Sequence, residues 1–405
     1  MQKVLIYSPQ ITKRIRFLFD FVCNEFSGLQ TEYTDNLQTA ASTAWPLINY
    51  SNEQLPSGHS LAVDEVMFQT GLDEKINFGD LKPVGKCFYA LSRYEEYLPH
   101  TADKHGRFSG HGKVYASPFV DEWIIGLQQQ LKTIYPTLVF KERKFNILLT
   151  SDVDQAWKYQ YKGWLRNSAA FFKALLKGHF AEVSDRVSVF FGKKKDPFDT
   201  FDYFFELAEK HGVPVIFFWL MGDYGTYDKN NPVSNTAFRK LISEVSSWAE
   251  SGIHPSYASF GHREILKREC ARLQAVLSRP VRLSRQHYLR LTFPSTYRDL
   301  LSVGITDDYT MGYADTIGFR AGTCTPFYWY DLEREEKTLL KLHPFCAMDV
   351  SLRHYGKLSP EEATAELLRL RKAVERVNGQ YCLLFHNSNL TDDWKGWKQV
   401  LESVF

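Results

Sequence analysis

The stretch FNILLTSDVD, residues 145–154, decides how this chain folds. Six residues that are mostly apolar, 145–150, are followed by Ser151, Asp152, Val153 and Asp154. A short apolar run of this kind is typical of a strand that is buried on both faces. Because side chains alternate along an extended chain, the two carboxylates on either side of Val153 point in the same direction. The stretch therefore predicts a buried strand that delivers two acidic groups to its carboxyl end.

The same rhythm of strand, loop and helix continues towards the C-terminus. Apolar strand patterns occur at 213–220, 280–284, 303–306 and 381–385, with a very short one at Ile253. Helix patterns occur at 199–212, 236–252, 263–277, 295–302 and 359–379. Short apolar strands that alternate with helices predict an α/β fold built on a parallel sheet or a barrel.

Ionisable groups follow six successive strands of this pattern. They are Asp152 and Asp154, Asp223, His254, Arg285 and His287, Asp307 and Asp308, and His386. The carboxyl ends of barrel strands meet at one rim, so we expect these groups to converge there. Taken singly, each has an ordinary alternative as a turn cap or a hydrogen-bonded structural residue. Two carboxylates crowded on one rim repel each other, and a metal on one with general-base duty for the other resolves that conflict.

The order of Asp152, Asp154, His254, Arg285 and His386 resembles that of the polysaccharide deacetylases, the NodB-homology group of carbohydrate esterase family four. The resemblance covers roughly residues 145–405. It implies a distorted or incomplete (β/α) barrel that removes acetyl groups from glycans with a divalent metal. By position in the motifs, it implies that Asp152 is the base, Asp154 a metal ligand and His386 the general acid. Arg285 takes the place of the arginine that orients the base.

Other residues complete the expected site. Arg320, in the segment GFRAGT, competes with Arg285 for the orienting role and otherwise joins Tyr257 and Trp219 as a candidate for substrate binding. Tryptophan and tyrosine rings stack well on the flat faces of sugars, although most such rings are simply core.

The sequence departs from the family pattern at one metal ligand. The family's second motif has two histidines four residues apart, whereas the fourth residue after His254 is Ala258. His287, after the neighbouring predicted strand, is a candidate replacement that would complete an Asp-His-His set, which favours zinc. In the alternative, His287 pairs with an aspartate on the rim and the metal is bound weakly or not at all.

Three functions follow from these alternatives. The first is metal-dependent deacetylation of an N-acetylated or O-acetylated glycan. The second is a degenerate barrel that only binds glycan, for which Ala258 is the best support. The third is hydrolysis of a non-sugar amide at the same metal site.

Composition narrows the function class further. Of 405 residues, 44% are hydrophobic and 24% charged, as in ordinary globular proteins, and aromatic residues reach 15%. A formal charge of +2 argues against a nucleic-acid or anionic-membrane binder, although this net charge is compatible with a local cluster of basic residues. Lys193–Lys195 is one such cluster, with a solvated loop as its ordinary interpretation. Six scattered cysteines, with no apparent signal peptide or transmembrane segment, predict a cytoplasmic protein.

The first part of the chain has a different texture. We expect residues 1–142 to form a smaller α/β accessory domain and residues 143–405 to form the deacetylase-like barrel. LSRYEEYLP with DKHGRF resembles the N-terminal region that accompanies a subset of deacetylase-like proteins, and it names no reaction. Arg107 lies close to the domain joint, and we hypothesise that it faces the catalytic rim.

Overall fold

The computed structural model describes residues 2–110 and 114–405. It contains two β-sheets, one parallel and one mixed. The first sheet has four strands in the order β2-β1-β3-β4, all parallel to their neighbours. These strands are β1 (Lys3–Tyr7), β2 (Gln30–Thr34), β3 (Leu47–Asn49) and β4 (His59–Ser60). The helices of this part are α1 (Lys13–Phe19), α2 (Leu37–Ala41), α3 (Pro83–Ser92), α4 (Tyr94–Tyr97) and α5 (Phe119–Ile134), with a π-helical segment at Asp20–Phe26.

The second sheet has nine strands in the order β10-β11-β9-β8-β7-β6-β5-β13-β12. Only the β10–β11 pair is antiparallel among its recorded pairings. The strands are β5 (Asn146–Val153), β6 (Val215–Leu220), β7 (Glu250–His254), β8 (Leu283–Ser284), β9 (Asp307–Asp308), β10 (Phe327–Asp331), β11 (Glu336–Leu342), β12 (Ala347–Met348) and β13 (Gln380–Leu384). The fold is therefore mixed α/β with one large sheet.

Eight helices accompany the large sheet. They are α6 (Trp164–Leu176), α7 (Phe180–Phe190), α8 (Phe201–His211), α9 (Thr236–Val245), α10 (Arg263–Leu277), α11 (Ser295–Ser302), α12 (Pro360–Glu375) and α13 (Trp397–Glu402). A π-helical segment, Ser351–Tyr355, follows β12. The helix ends follow local rules: Ser359 and Glu362 form a capping box at the start of α12, and Gly212 ends α8 with φ of 62°.

The central strands are buried as the sequence predicts. Every residue of β6 is buried, and so are the last seven residues of β5. β13 pairs with β5 on one side and β6 pairs with it on the other. Because β5 is an interior strand, the third from the β12 end of the sheet, Asp152 and Asp154 emerge at the carboxyl ends of the strands and away from both edge strands.

The prediction of a strand at 303–306 is wrong in position, because the strand is the next pair of residues, Asp307–Asp308. Residues 303–305 instead form the turn that follows α11, since the N–H groups of Gly304 and Ile305 donate to carbonyls of the last turn of this helix. The extra residues after the helix shift the strand towards the C-terminus. By contrast, the predicted helices at Arg263–Leu277 and Ser295–Ser302 are confirmed.

The two sheets share one hydrophobic core. The ring of Phe17 on α1 lies 4.8 Å from that of Tyr330 on β10, and Arg14 forms an ion pair with Glu335 in the turn after β10. The N-terminal part thus packs against the antiparallel edge of the large sheet. Its division from the rest at 142/143 as a separate domain stays a prediction.

Candidate active site

A cleft of about 310 Å³ opens at the carboxyl edge of the large sheet. Its polar lining includes Asp152, Asp154, His254, His287 and His386. These groups come from the ends of β5, β7, β8 and β13 or from the residues that directly follow them. The structure therefore brings together the five residues that the sequence assigned to base, metal ligands and acid.

Asp154 lies between two histidines. Its Oδ1 is 3.3 Å from Nε2 of His254 and 3.5 Å from Nε2 of His287. Among the described residues these three side chains form a candidate metal-binding group, with their ligand atoms within 4.8 Å of one another. Asp154 Oδ1 is buried and has no hydrogen-bond partner among the described residues. An ionised oxygen buried in this state is costly unless a cation binds it.

Each histidine is fixed through its other ring nitrogen. Nδ1 of His254 is 2.5 Å from the carbonyl oxygen of Arg285, and Nδ1 of His287 is 2.8 Å from Oδ1 of Asp228. A carbonyl can only accept, so Nδ1 of His254 carries the hydrogen; a carboxylate favours the same tautomer at His287. Both Nε2 lone pairs are then directed at the position beside Asp154, as in metal-ligating histidines.

Asp228 links His287 to the segment that contains Ala258. Besides binding His287, Asp228 accepts hydrogen bonds from the backbone N–H groups of Tyr257 and Ala258, at 2.7 and 3.2 Å. The backbone of this segment thus anchors the aspartate that orients His287. The sequence did not single out Asp228, because it lies in the loop between β6 and α9 without any motif.

Arg285 holds Asp152 in place. Its Nη1 donates to Asp152 Oδ1 at 3.0 Å and to Thr150 Oγ1 at 2.7 Å, while its Nε donates to the carbonyl of Tyr309 at 2.9 Å. The guanidinium is fully buried and lies over the ring of Phe218. A charge-assisted contact of this kind fixes the orientation of the Asp152 carboxylate.

His386 has its own carboxylate. Its Nδ1 is 2.8 Å from Oδ1 of the buried Asp349, whose Oδ2 accepts from the backbone N–H of His386 at 2.8 Å. Burial lowers the pKa of His386, but Asp349, Asp154 and Asp152 outweigh it and raise the pKa to about 10. His386 is therefore protonated at neutral pH. Asp349 directly follows the two-residue strand β12, which sequence patterns are too weak to reveal.

The ionisable groups at the centre of the cleft strongly affect one another's pKa values. Burial raises the pKa of Asp154, but the nearby His287 and His254 overcome this and hold it well below its ordinary value. Burial lowers the pKa of His287, and Asp154 and Asp228 reverse this and raise it to about 9. The Asp154 carboxylate and the protonated His287 imidazole stabilise each other's charges, so a metal ion that binds here would displace the proton from Nε2 of His287.

The three residues predicted for substrate binding do not line the cleft, and that assignment is wrong for the buried Trp219. Trp219 is fully buried in the core and donates to Ser251, because the alternation of β6 turns it away from the rim. Arg320 is buried against Glu96 and does not contact Asp152. Tyr257 lies behind the cleft wall, with its ring stacked 4.2 Å from that of Tyr227.

Three aspartates predicted at the rim also lie elsewhere. Asp307 pairs with His343 at 2.8 Å, and Asp308 is buried against Ser284 and Thr310. Asp223 is exposed and pairs with Arg268 and Arg272.

The N-terminal part contributes to the cleft, which confirms the hypothesis about Arg107. Its Nη1 donates to the carbonyl of Tyr288 at 3.0 Å, and its Nη2 donates to the hydroxyl of Tyr355 at 2.8 Å. Both tyrosines line the cleft with Tyr227. Arg107 therefore links two sides of the cleft mouth, and the tyrosines form an aromatic rim around the polar centre.

Comparison with known proteins gives a fold likeness and a partial family match. Residues 4–136 match the model of DUF7033, a family of unknown function. No curated protein matches the chain in sequence. A solved structure assigned to the polysaccharide deacetylases, from Mycobacterium smegmatis, is similar with 14% identity and a TM-score of 0.41, covering 65% of this chain and 83% of that one.

Two other solved structures are also similar. The CE4 family pseudoenzyme BA3943 from Bacillus anthracis has 12% identity and a TM-score of 0.30, covering 64% of this chain and 60% of its own. The allantoinase Puue has 10% identity and a TM-score of 0.39, covering 64% and 82%. At these identities the likeness concerns the fold, so function has to be argued from the side chains of the cleft.

Proposed function

We propose that the chain is a metal-dependent hydrolase that removes acetyl groups from an N-acetylated glycan. The observation that carries the proposal is the buried, unpartnered Oδ1 of Asp154, which faces Nε2 of both His254 and His287. Asp152 with its arginine and His386 with its aspartate flank this position in the same cleft. The nine-stranded sheet, which ends at β10 and β12, is on this proposal the incomplete (β/α) barrel of the NodB-homology group.

The donor set fits a divalent cation. One carboxylate and two neutral imidazoles form an open catalytic set that leaves a position for water, and zinc is the metal this chemistry favours. The hydrogen bonds at both Nδ1 atoms supply the outer support that such ligands need. With these three ligands, a bound zinc ion would serve as a Lewis acid that acidifies water and polarises the acetyl carbonyl.

Asp152 is the proposed base. Arg285 occupies its Oδ1, which leaves Oδ2 to accept a proton from the attacking water. Oδ2 lies 3.6 Å from Nε2 of His254, so the base borders the metal position without being required as a ligand. Because Arg285 is itself held by Thr150 and Tyr309, the carboxylate cannot rotate away from the cleft.

His386 is the proposed acid. Its Nδ1 is engaged by Asp349, so the proton that can be delivered is the one on Nε2. Transfer of that proton to the nitrogen of the breaking C–N bond releases the sugar amine, while the acetyl group leaves as acetate. The raised pKa of His386 keeps this proton in place at neutral pH.

The aromatic rim supports a sugar as the substrate. Tyr227 and Tyr355 are 42% and 41% exposed, although both line the cleft. Partly exposed rings around a polar centre offer the flat apolar faces on which sugar rings stack. The small central cleft then accommodates the acetyl group, while the rest of the glycan lies across the rim.

The first experiment measures metal content and turnover together. Wild-type protein should hold about one equivalent of zinc and release acetate from N-acetylated chito-oligosaccharide, because a mononuclear site of this type binds one cation. His287→Ala should lose both metal and turnover. His262→Ala is the matched control, since His262 is exposed outside the cleft and should leave both unchanged.

The other outcomes separate the rival functions. Binding of oligosaccharide without metal or acetate release would contradict the proposal and support the degenerate, glycan-binding barrel. Metal-dependent hydrolysis of a cyclic or linear amide, with no release from chito-oligosaccharide, would support the non-sugar amidase. Zinc content that is equal in wild type and His287→Ala would refute the assignment of His287 as a ligand.

A further inference from the structure

A helical hairpin beside the cleft exposes an unusual amount of apolar surface. α6 and α7 pack against each other between β5 and α8, joined by a tight turn at 177–179. Their inner face is packed: Ala174, Arg186 and Val189 are buried, and the Arg186 guanidinium lies over the ring of Tyr159. The outer face, which we call the hairpin patch, consists of Phe172, Leu175, Leu176, Phe180, Phe190 and Phe191, all exposed.

The apolar side chains of the hairpin patch are more exposed than apolar residues scattered over an ordinary protein surface. Leu176 is 88% exposed and Phe191 is 76% exposed, and on α6 the exposed Phe172, Leu175 and Leu176 have the three- and four-residue spacing of one helix face. Isolated apolar residues on a surface need no explanation, but a contiguous group of large ones marks an interaction site.

The segment that contains the hairpin patch is rich in lysine and arginine. Residues 164–195 contain seven Lys or Arg and two acidic residues, a net charge of +5, although the whole chain carries only +2. Ion pairs use part of this charge, since Glu182 contacts Arg186, Asp185 contacts Lys194, and Lys195 contacts Asp199 and Asp202. Lys173, Lys177 and Lys193 are exposed next to apolar members of the patch.

The base of the hairpin is fixed to the cleft. The carboxylate of Asp196 accepts the backbone N–H groups of Lys158, Tyr159 and Gln160, which closes the insertion at its root. Arg166 on α6 donates to the carbonyl of Asn230, next to the loop residues Tyr227 and Lys229 that line the cleft. The hairpin therefore projects from the same edge of the sheet that carries the proposed site.

We propose that the hairpin patch docks on an anionic membrane surface. Exposed Phe and Leu side chains bordered by lysines are the features of a helix pair that lies in the headgroup region, with apolar groups inserted and cations on the lipid phosphates. Among the described residues, no helix is both long and apolar enough to cross a membrane, so the contact is a surface one. Docking brings the cleft close to the bilayer. If the proposed function holds, its substrate is a glycan held at the membrane.

Vesicle sedimentation of the full chain tests the proposal. Wild-type protein should bind vesicles of phosphatidylcholine with about one third phosphatidylglycerol, bind pure phosphatidylcholine far less, and dissociate as salt is raised from about 0.1 M to about 0.5 M. The double variant Leu176→Asp/Phe180→Asp should lower the partition coefficient by about tenfold or more, because it places charge where apolar groups insert. Lys173→Glu/Lys177→Glu should abolish the preference for the anionic vesicles.

Matched controls keep the test sharp. Leu339→Asp changes a residue that is 81% exposed on β11, away from the hairpin, and should leave vesicle binding unchanged. Asp152→Asn should also bind vesicles normally, so loss of hydrolysis and loss of docking are distinguishable.

Two results would overturn the proposal. One is equal binding of wild type and the Leu176→Asp/Phe180→Asp variant to anionic vesicles. The other is a concentration-dependent dimer in light scattering that this variant dissolves, because a second copy of the chain would then cover the patch.

Discussion

The cleft and the hairpin patch both depart from the usual rule that charged side chains are exposed and apolar side chains are buried, but they depart from it in different ways. The cleft buries charged groups, Asp152 and Arg285 among them, whose Oδ1 and Nη1 atoms lie 3.0 Å apart. The hairpin patch instead exposes large apolar groups such as Leu176. Both arrangements cost free energy, since buried charges lose hydration and exposed apolar surface orders water. Each such cost points to a missing partner, a cation in the cleft and a lipid surface on the hairpin.

The largest effect should come from the base. We expect Asp152→Asn to lower kcat by about a thousandfold, because general-base catalysis contributes about 10² to 10⁴. Zinc content should be unchanged, since the proposed ligands are Asp154, His254 and His287. Steady-state kinetics and elemental analysis of the same preparation measure both quantities. If the variant loses its metal, the roles of Asp152 and Asp154 are reversed.

The support of His287 gives the next largest effect. Asp228→Asn retains the shape of the side chain but removes the charge that holds Nδ1. We expect metal affinity to fall about 10- to 100-fold, as loss of an outer-shell partner typically does. Competition with a chelator measures this affinity.

Asp307→Asn is the control for that experiment, because Asp307 pairs with His343 outside the cleft. If both variants lose affinity equally, the loss reflects general destabilisation and the assignment of Asp228 fails.

The pH profile tests the acid. On the proposed mechanism protonated His386 is the active form, so the rate should fall as pH rises through its pKa. Burial lowers this pKa, and Asp349 is the foremost group that raises it. Asp349→Asn should therefore move the alkaline limb of the profile to lower pH by about one unit or more, where one unit corresponds to about 1.4 kcal/mol. A limb that does not move would exclude His386 as the group that limits the rate at high pH.

The smallest effect should come from the N-terminal part. Arg107→Ala removes the bridge between Tyr288 and Tyr355 at the cleft mouth. We expect KM to rise about fivefold with little change in kcat, since loss of uniform binding alters KM alone. Arg107→Lys keeps the charge but lacks the planar guanidinium that contacts both groups at once, so it should give an intermediate KM. An unchanged KM in both variants would show that the bridge is purely structural.

Sequence patterns were strongest where one segment contains its own signal. The strand ending in Asp152 and Asp154 is local, and so are the caps and periodicity that define α10 and α11. Patterns failed where a strand is very short. β9 and β12 have two residues each, and their pairing depends on the strands beside them, whereas the equally short β8 lies within the strand predicted at 280–284.

The candidate site divides in the same way. Asp152, Asp154, His254, His287 and His386 could be predicted because each follows an apolar strand, and strand ends meet at one edge of a sheet. Their supporting groups could not. Asp228 and Asp349 lie 59 and 37 residues along the chain from the histidines that they orient, in segments without a motif.

The sequence alone determined the α/β class and the chemical groups of the cleft, because apolar periodicity and strand-end residues are local properties. Only the tertiary structure decided which nitrogen of each histidine is free, that Trp219 is core, and that Arg107 reaches the cleft from the other part of the chain. These facts depend on contacts between residues far apart in sequence. Such contacts exist only once the sheet has brought its edges together, since a side chain's partner is set by packing and not by its position along the chain.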